Sequence, residues 1–317
     1  MSNHTNTLDR RRFIQGSSAA VTALALGSSA AAKEKGTEKG ATNSAHRKQS
    51  DEPDIIAHRG FAGKYPENTV AAAWGSAREG ADMIEIDVIP CADGEVVVFH
   101  DDDLSERDGG NQGLTDEDGL VWETDCETVL SAEVLESGET VPTLREVLKV
   151  IPASVSVNIE MKNPGSEDIV AGDLSGEELA AQEDLWRPFV QDVLAIAAEY
   201  QNDILVSSFY EAALSTTRET DPSIPIAFLF SDDIEEGLAV TREYDAEALH
   251  PSFTLVQGTP FYEGEDDIDL VEVAHEEGRE VNVWTIQTWY EATQLAKTGV
   301  DGLIVDYPDL LFDSLPQ

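Results

Sequence analysis

The sequence predicts an α/β fold built as a (β/α)8 barrel, and three observations predict it. Eight short apolar runs of strand type alternate with segments whose apolar residues recur at every third and fourth position. The alternation fills roughly 260 residues, the length that eight such units need. The Gly-rich phosphate turn of a doubly wound open sheet, GxGxxG or GxxxxGKS, is absent.

The strand candidates in chain order are DIIAH (54–58), MIEIDV (83–88), VSVNIEM (155–161), ILVSSF (204–209), PIAFLF (225–230), EALHPS (247–252), VNVWTI (281–286) and GLIVDY (302–307). Between them lie helical segments such as NTVAAAWGSAREG, TLREVLKVI, FVQDVLAIAAEY and TWYEATQLAKTG, so that each strand is expected to feed a helix. Gly80, Gly278 and Gly299 stand where such helices should stop. A further run, EVVVFHD (95–101), follows the second strand across only CADG, too little chain for a crossover helix, so those two strands form a hairpin. Residues 102–140, rich in Asp, Glu and Gly, then read as an irregular insertion. The architecture is therefore a TIM barrel with a small insertion after a hairpin extension of its second strand, occupying residues 54–317.

What precedes the barrel has another character. Arg10, Arg11 and Arg12 stand before a short, weakly apolar run that ends in Ala30, Ala31 and Ala32, the pattern of a twin-arginine-type export signal over residues 1–32. Gly27, Ser28 and Ser29 interrupt the run, which falls short of the ~20 apolar residues of a spanning helix, so no stable membrane insertion is expected after signal removal. Residues 33–53 are polar and aperiodic and read as a flexible linker.

Charge narrows the setting. With 63 acidic against 20 basic residues the formal net charge is −43. Such a load repels itself in dilute buffer but is screened at molar salt, where the Debye length is about 3 Å, so the expectation is an exported protein of a high-salt organism. The acids are spread along the chain, which disfavours a docking patch for a basic partner, and nucleic acid is excluded as a partner. Cys91 and Cys126 form no CxxC motif; export permits a disulfide between them, and two inert thiols fit the sequence equally well.

In a barrel of this kind chemistry sits at the C-terminal strand ends. Those ends hold His58 and Arg59 on the first strand, Glu85 and Asp87 on the second, and Glu160 and Lys162 on the third. Side chains two apart on a strand share a face, so Glu85, Asp87, Glu160 and Lys162 point inward while Ile86 and Met161 point to the helices. Three converging carboxylates call for a cation, and hard oxygen donors without cysteine favour Mg²⁺ or Ca²⁺ over zinc. An ion-pair network with Arg59 and Lys162 is the plainer alternative. Only twelve basic residues occur from Gln49 onward, yet two of them fall here, which points to an anionic ligand; phosphate suits a guanidinium beside an ammonium. His58 and His100, the latter backed by Asp101, supply two imidazoles, the side chain best suited to serve as acid and base. His250 and His275 read as ordinary satisfied polar groups.

AHRG followed by PENT, EIDV, VVFHD, VPTL, IEMK, VNVWTI and GVDGLIVDYP resembles the glycerophosphodiester phosphodiesterases in order and spacing, over residues 55 to 312. The resemblance implies that His58 and His100 are the acid–base pair, Arg59 and Lys162 hold phosphate, and Glu85, Asp87 and Glu160 bind the metal. It also implies that Glu67 orients this cluster and that Trp284 forms an aromatic wall for the glycerol carbons. The implied reaction releases glycerol 3-phosphate and an alcohol from a small glycerophosphodiester such as glycerophosphocholine. Where relatives continue HD with a leucine and an Arg-Thr-Thr turn, this chain reads HDDDLSERDGG: Arg107 keeps the arginine, and Asp108 and Gly109 replace the threonines. Two other readings stand beside this one: a phospholipase-type lyase that forms a cyclic phosphate from lysophospholipids, and a barrel that binds organophosphates without turnover.

Overall fold

The computed structural model describes residues 52–107, 111–112, 114–172, 174, 176–264 and 267–311. The export signal and all of the linker before Glu52 lie outside them. Its strands are β1 (Asp54–Ala57), β2 (Met83–Pro90), β3 (Val96–Val98), β4 (Glu106–Arg107), β5 (Asn111–Gln112), β6 (Ser156–Met161), β7 (Ile204–Ser208), β8 (Ile226–Phe230), β9 (Ala248–Pro251), β10 (Glu280–Ile286) and β11 (Gly302–Val305). Its helices are α1 (Val70–Glu79), α2 (Cys126–Ser131), α3 (Leu144–Val150), α4 (Gly176–Ala197), α5 (Glu211–Thr220), α6 (Ile234–Glu243), α7 (Leu270–Glu276) and α8 (Trp289–Leu295).

Eight strands close into a parallel barrel in the order β1, β2, β6, β7, β8, β9, β10, β11. Ala57 pairs with Ile84 on one side and with Val305 on the other, so the first strand joins the second to the last. The hairpin expected after the second strand is present, with Val88 opposite Val98. Helix starts follow local chemistry: Thr143 and Glu146, and Thr288 and Glu291, form reciprocal capping boxes at α3 and α8, each cap worth about 1 kcal/mol. Helix α1 stops at Gly80, whose φ of 88° suits glycine.

The main core lies between barrel and helices and takes in Ile84, Ile86 and Val88 of β2 with Ile159 and Met161 of β6. Inside the barrel, Met83, Leu205, Ala227 and Ala248 pack together at the N-terminal strand ends. Counting by twos from these residues gives Glu85 and Asp87, Ser207, Leu229 and His250, so on most of these strands the interior turns polar toward its C-terminal mouth, with Leu229 the apolar exception.

Three expectations need correction. No helix follows β11 among the described residues, which continue as turns and bends to residue 311. His58 and Arg59 do not end a strand: β1 stops at Ala57 and residues His58–Gly60 form a tight 3-10 turn. The insertion is not irregular, since β4 and β5 pair, α2 forms, and Ile89, Val97, Phe99, Leu104, Val121 and Val129 build a second small core. Its apolar residues are spaced without period, which leaves no pattern to read. Cys91 and Cys126 are joined in a disulfide with their Cα atoms 5.4 Å apart, inside the usual range, tying this core to the end of β2.

Candidate active site

The turn after β1 places two groups at once. Arg59 adopts a left-handed φ of 49° and Gly60 a φ of 74°, and any Cβ on Gly60 would meet the Ala72 side chain at 2.7 Å. The unfavourable backbone at Arg59, a cost of order 1 kcal/mol, is offset where its N–H donates to Glu85 Oε2 at 2.7 Å and its carbonyl accepts from the Asn68 N–H at 3.0 Å. His58 and Arg59 both line the resulting pocket.

On the facing strands the register does the positioning. Asp87 stands opposite Glu160 in the β2–β6 ladder, and Glu85 sits two residues before Asp87. One oxygen from each of Glu85, Asp87 and Glu160 falls within 4.8 Å of the others. Lys162 Nζ lies 2.6 Å from Glu160 Oε1 and 3.7 Å from Asp87 Oδ1, and Arg59 Nε lies 3.4 Å from Asp87 Oδ2. The ion-pair network therefore exists, but it leaves Glu85 Oε1 and Asp87 Oδ1 buried without a hydrogen bond. Buried carboxylate oxygens that lack a hydrogen bond and stand beside a third carboxylate fit a hard divalent cation.

The charges divide unequally. Burial, followed by the nearby Asp87 and Glu160, pushes the Glu85 carboxyl well above the usual carboxylate range. Asp87 is equally buried, yet His100, Lys162 and Arg59 with the Asn68 amide overcome that burial and hold it low. Lys162 resists its own burial through Glu160 and Asp87 and keeps a raised pKa.

Each imidazole is held at Nδ1 by a carboxylate. His58 Nδ1 lies 2.7 Å from Asp306 Oδ1, and Asp306 Oδ2 accepts from Gln287 Nε2 at 2.7 Å. His100 Nδ1 lies 3.0 Å from Asp101 Oδ1. With Nδ1 engaged, Nε2 is the ring nitrogen each histidine has free for chemistry. Both histidines line a pocket of about 140 Å³ with Arg59, Glu85, Asn158, Glu160, Lys162 and Trp284. Trp284 donates its indole N–H to the His250 carbonyl at 2.7 Å and meets Phe209 edge to face at 5.4 Å.

Glu67 pairs with Arg59 at 2.8 Å and with Arg107 at 2.6 Å, and despite burial these cations hold its carboxyl low. His275 Nε2 pairs with Asp301 at 2.8 Å, an ordinary surface contact. His250 departs from expectation: Nε2 lies 3.1 Å from Asn282 Nδ2, but Nδ1 has no hydrogen-bond partner, and burial pushes the ring down to about 3.

Strand-tip reasoning passes over Asn68, Arg107 and Asp306. Asp306 had a readable position, directly after the last barrel strand. Asn68 belongs to PENT, where its amide donates to Asp87 Oδ2 at 2.8 Å. Arg107 stands in the aperiodic insertion, where the resemblance singles it out as the retained arginine but no spacing announces its partners.

The sequence model of the glycerophosphoryl diester phosphodiesterase family matches residues 58–310. A glycerophosphodiester phosphodiesterase from Bacillus altitudinis is 28% identical over 268 residues, covering 80% of this chain and 95% of the relative. Another from Caldanaerobacter subterraneus is 28% identical over 264 residues, covering 82% and 96%. Among solved structures, a phosphodiesterase from Oleispira antarctica in complex with the product sn-glycerol-3-phosphate aligns with a TM-score of 0.65 at 26% identity, over 81% of this chain and 94% of its own. With the family's sequence model spanning nearly all of the barrel and its insertion, the chain belongs to the glycerophosphoryl diester phosphodiesterase family, whose members are phosphoric diester hydrolases.

Proposed function

We propose that the protein hydrolyses glycerophosphodiesters such as glycerophosphocholine to glycerol 3-phosphate and an alcohol, with a divalent cation and with His58 and His100 as the acid–base pair. The observation that carries this reading is the pair of carboxylate-anchored imidazoles at one pocket with three carboxylates and two cations. Its volume of about 140 Å³ is well below the ~300–1,000 Å³ of sites for drug-sized ligands, which favours a compact polar diester over one carrying an acyl chain.

Arg59 and Lys162 would grip the non-bridging phosphoryl oxygens, the guanidinium as a planar fork and the ammonium as a point charge. Trp284 and Phe209 offer an apolar wall to the glycerol carbons. One imidazole takes a proton from the attacking water at Nε2, the P–O bond to the alcohol breaks, and the other imidazole gives its Nε2 proton to the leaving oxygen. Glu85, Asp87 and Glu160 would hold the cation, Mg²⁺ or Ca²⁺, whose chemistry when bound is withdrawal of charge from a phosphoryl oxygen.

Export by the twin-arginine-type signal to a saline exterior belongs to the same proposal. The Cys91–Cys126 bond supports an oxidising location, and the net charge of −43 supports high salt.

The test is an assay on glycerophosphocholine in molar salt, with and without a chelator, beside His58→Ala. Turnover lost in both the chelated and the substituted protein is expected. Binding without turnover in the unmodified protein would leave an organophosphate-binding barrel, and a cyclic phosphate seen by phosphorus NMR as the end product would leave a lyase.

A further inference from the structure

Arg107 is the one guanidinium that the insertion brings to the site among the described residues. Its backbone is fixed in the short ladder opposite Asn111. Its side chain makes three hydrogen bonds: Nε donates to Asp101 Oδ2 at 3.0 Å, Nη1 to Glu67 Oε2 at 3.0 Å and Nη2 to Glu67 Oε1 at 2.6 Å. The contact with Glu67 is a two-pronged fork, and the third donor reaches a different carboxylate.

Each of those carboxylates has a second partner at the pocket. Asp101 holds His100 through its other oxygen at 3.0 Å, and Glu67 Oε1 also accepts from Arg59 Nη1 at 2.8 Å. A continuous path therefore runs from His100 through Asp101, Arg107 and Glu67 to Arg59. Asp101 and Glu67 side chains are each only 8% exposed, so neither is stable as an anion without a shared cation. Arg59 and Arg107 repel each other, and Glu67 lies between them.

We propose that Arg107 is a positioning residue that couples the two tasks of the site: through Asp101 it fixes the ring of His100 for proton transfer, and through Glu67 it fixes the guanidinium of Arg59 for phosphate. The inference rests on the proposed roles of His100 and Arg59 and adds that one residue of the insertion governs both. Lysine cannot substitute, because a single ammonium cannot present the fork to Glu67 and a separate donor to Asp101.

The experiment compares Arg107→Met, Arg107→Lys, Glu67→Gln and the double variant Glu67→Gln/Arg107→Met with unmodified protein. It measures kcat and KM for glycerophosphocholine and, independently of turnover, affinity for inorganic phosphate. Arg107→Met should lower kcat by up to about 10²-fold, the cost of misplacing a reacting group, and weaken phosphate binding; Arg107→Lys should recover little of either. The double variant should bind phosphate no worse than Glu67→Gln alone, since both changes cut one path. A Cys91→Ser/Cys126→Ser variant, which loosens the insertion and leaves the path intact, should lose much less activity than Arg107→Met at equal folded fraction by circular dichroism. Equal losses in those two proteins, or phosphate binding untouched by Arg107→Met, would overturn the proposal. If the unmodified protein binds phosphate but turns nothing over, the hydrolase reading fails while the phosphate arm still decides the role of Arg107.

Discussion

Asp306 Oδ1 lies 2.7 Å from Nδ1 of His58, although 248 residues separate them in the sequence. The contact exists because the last strand pairs with the first, Val305 beside Ala57, so each is followed directly by its half of the pair. The imidazole of His58 is thereby held in one orientation, with Asp306 fixed in turn by Gln287. Burial opposes its charge, but the hydrogen bonds from His58 and Gln287 hold the Asp306 carboxyl below its ordinary range.

Asp306→Ala should therefore lower kcat by roughly 10²–10⁴-fold, the span of a general acid–base contribution, with a smaller change in KM, because the Asp306 carboxylate hydrogen-bonds to His58 and Gln287 and reaches Arg59 only through a weaker charge attraction. Steady-state kinetics on glycerophosphocholine check it. A rise in KM at unchanged kcat would remove Asp306 from the proton-transfer apparatus.

The barrel was legible because its signals are local. Alternating short apolar runs and periodic helices announce βα units without any long-range contact, and Glu85, Asp87, Glu160 and Lys162 could be placed by counting in twos. The rest depends on partners distant in sequence. Glu67 could be named, but not its fork with Arg107 forty residues away. The turn at His58–Gly60 escaped because DIIAH continues the strand pattern, whereas the conformation is set by Gly60 packing on Ala72 and by the Arg59 N–H meeting Glu85. The insertion core depends on Cys91 and Cys126, 35 residues apart, with no period between them.

Glu85 gives a test of cation binding that does not need turnover. Its carboxyl is fully buried with Oε1 unpaired, and burial beside Asp87 and Glu160 raises its pKa. In cation-free buffer at neutral pH, Glu85→Gln should melt at or above the unmodified protein, since it removes an acid whose ionisation burial, Asp87 and Glu160 all oppose, on a side chain where an unmet buried polar atom costs about 1–3 kcal/mol. Added Mg²⁺ or Ca²⁺ should then stabilise the unmodified protein, by about 2.7 kcal/mol at one hundred times Kd, and leave the variant unmoved. Equal thermal shifts in both proteins would show that the cation binds elsewhere.

Removing the disulfide should cost the insertion more than the barrel. Closing a loop of 35 residues restricts the unfolded chain by roughly 3–4 kcal/mol in the chain-entropy description. The Cys91→Ser/Cys126→Ser protein should therefore show faster amide exchange within residues 114–141, while Val157 and Val206 in the barrel wall stay protected. Uniform loss of protection over the whole chain would mean that insertion and barrel unfold together.

His250 sets an acid limit with a defined sign. Its ring is neutral in the folded protein because burial drives it down to about 3, whereas in the unfolded chain it titrates near 6.5. Below about 6.5 the unfolded chain takes up a proton that the folded chain refuses, so stability falls as pH drops from there toward 3. Between pH 6.5 and 5, above the range of most carboxylates, the loss amounts to about 2 kcal/mol. His250→Gln should flatten that part of a denaturation-against-pH curve. The same slope in both proteins would place the titrating group elsewhere.

Salt acts on two opposing quantities, and their sizes decide the outcome. Exposed pairs such as Arg187–Glu219 at 2.9 Å and Arg242–Glu277 are each worth about 0–1 kcal/mol and weaken as salt rises. Against them stands the mutual repulsion of 63 acids offset by only 20 bases, which acts over about 10 Å at 0.1 M salt and about 3 Å at 1 M. Few pairs and many unbalanced charges make repulsion the larger quantity. The melting temperature should therefore climb from millimolar to molar NaCl, with partial unfolding and loss of glycerophosphocholine turnover at the low end. A melting temperature that is flat or falling over that range would mean that the acidic surface is already neutralised at low salt, and the high-salt assignment would go with it.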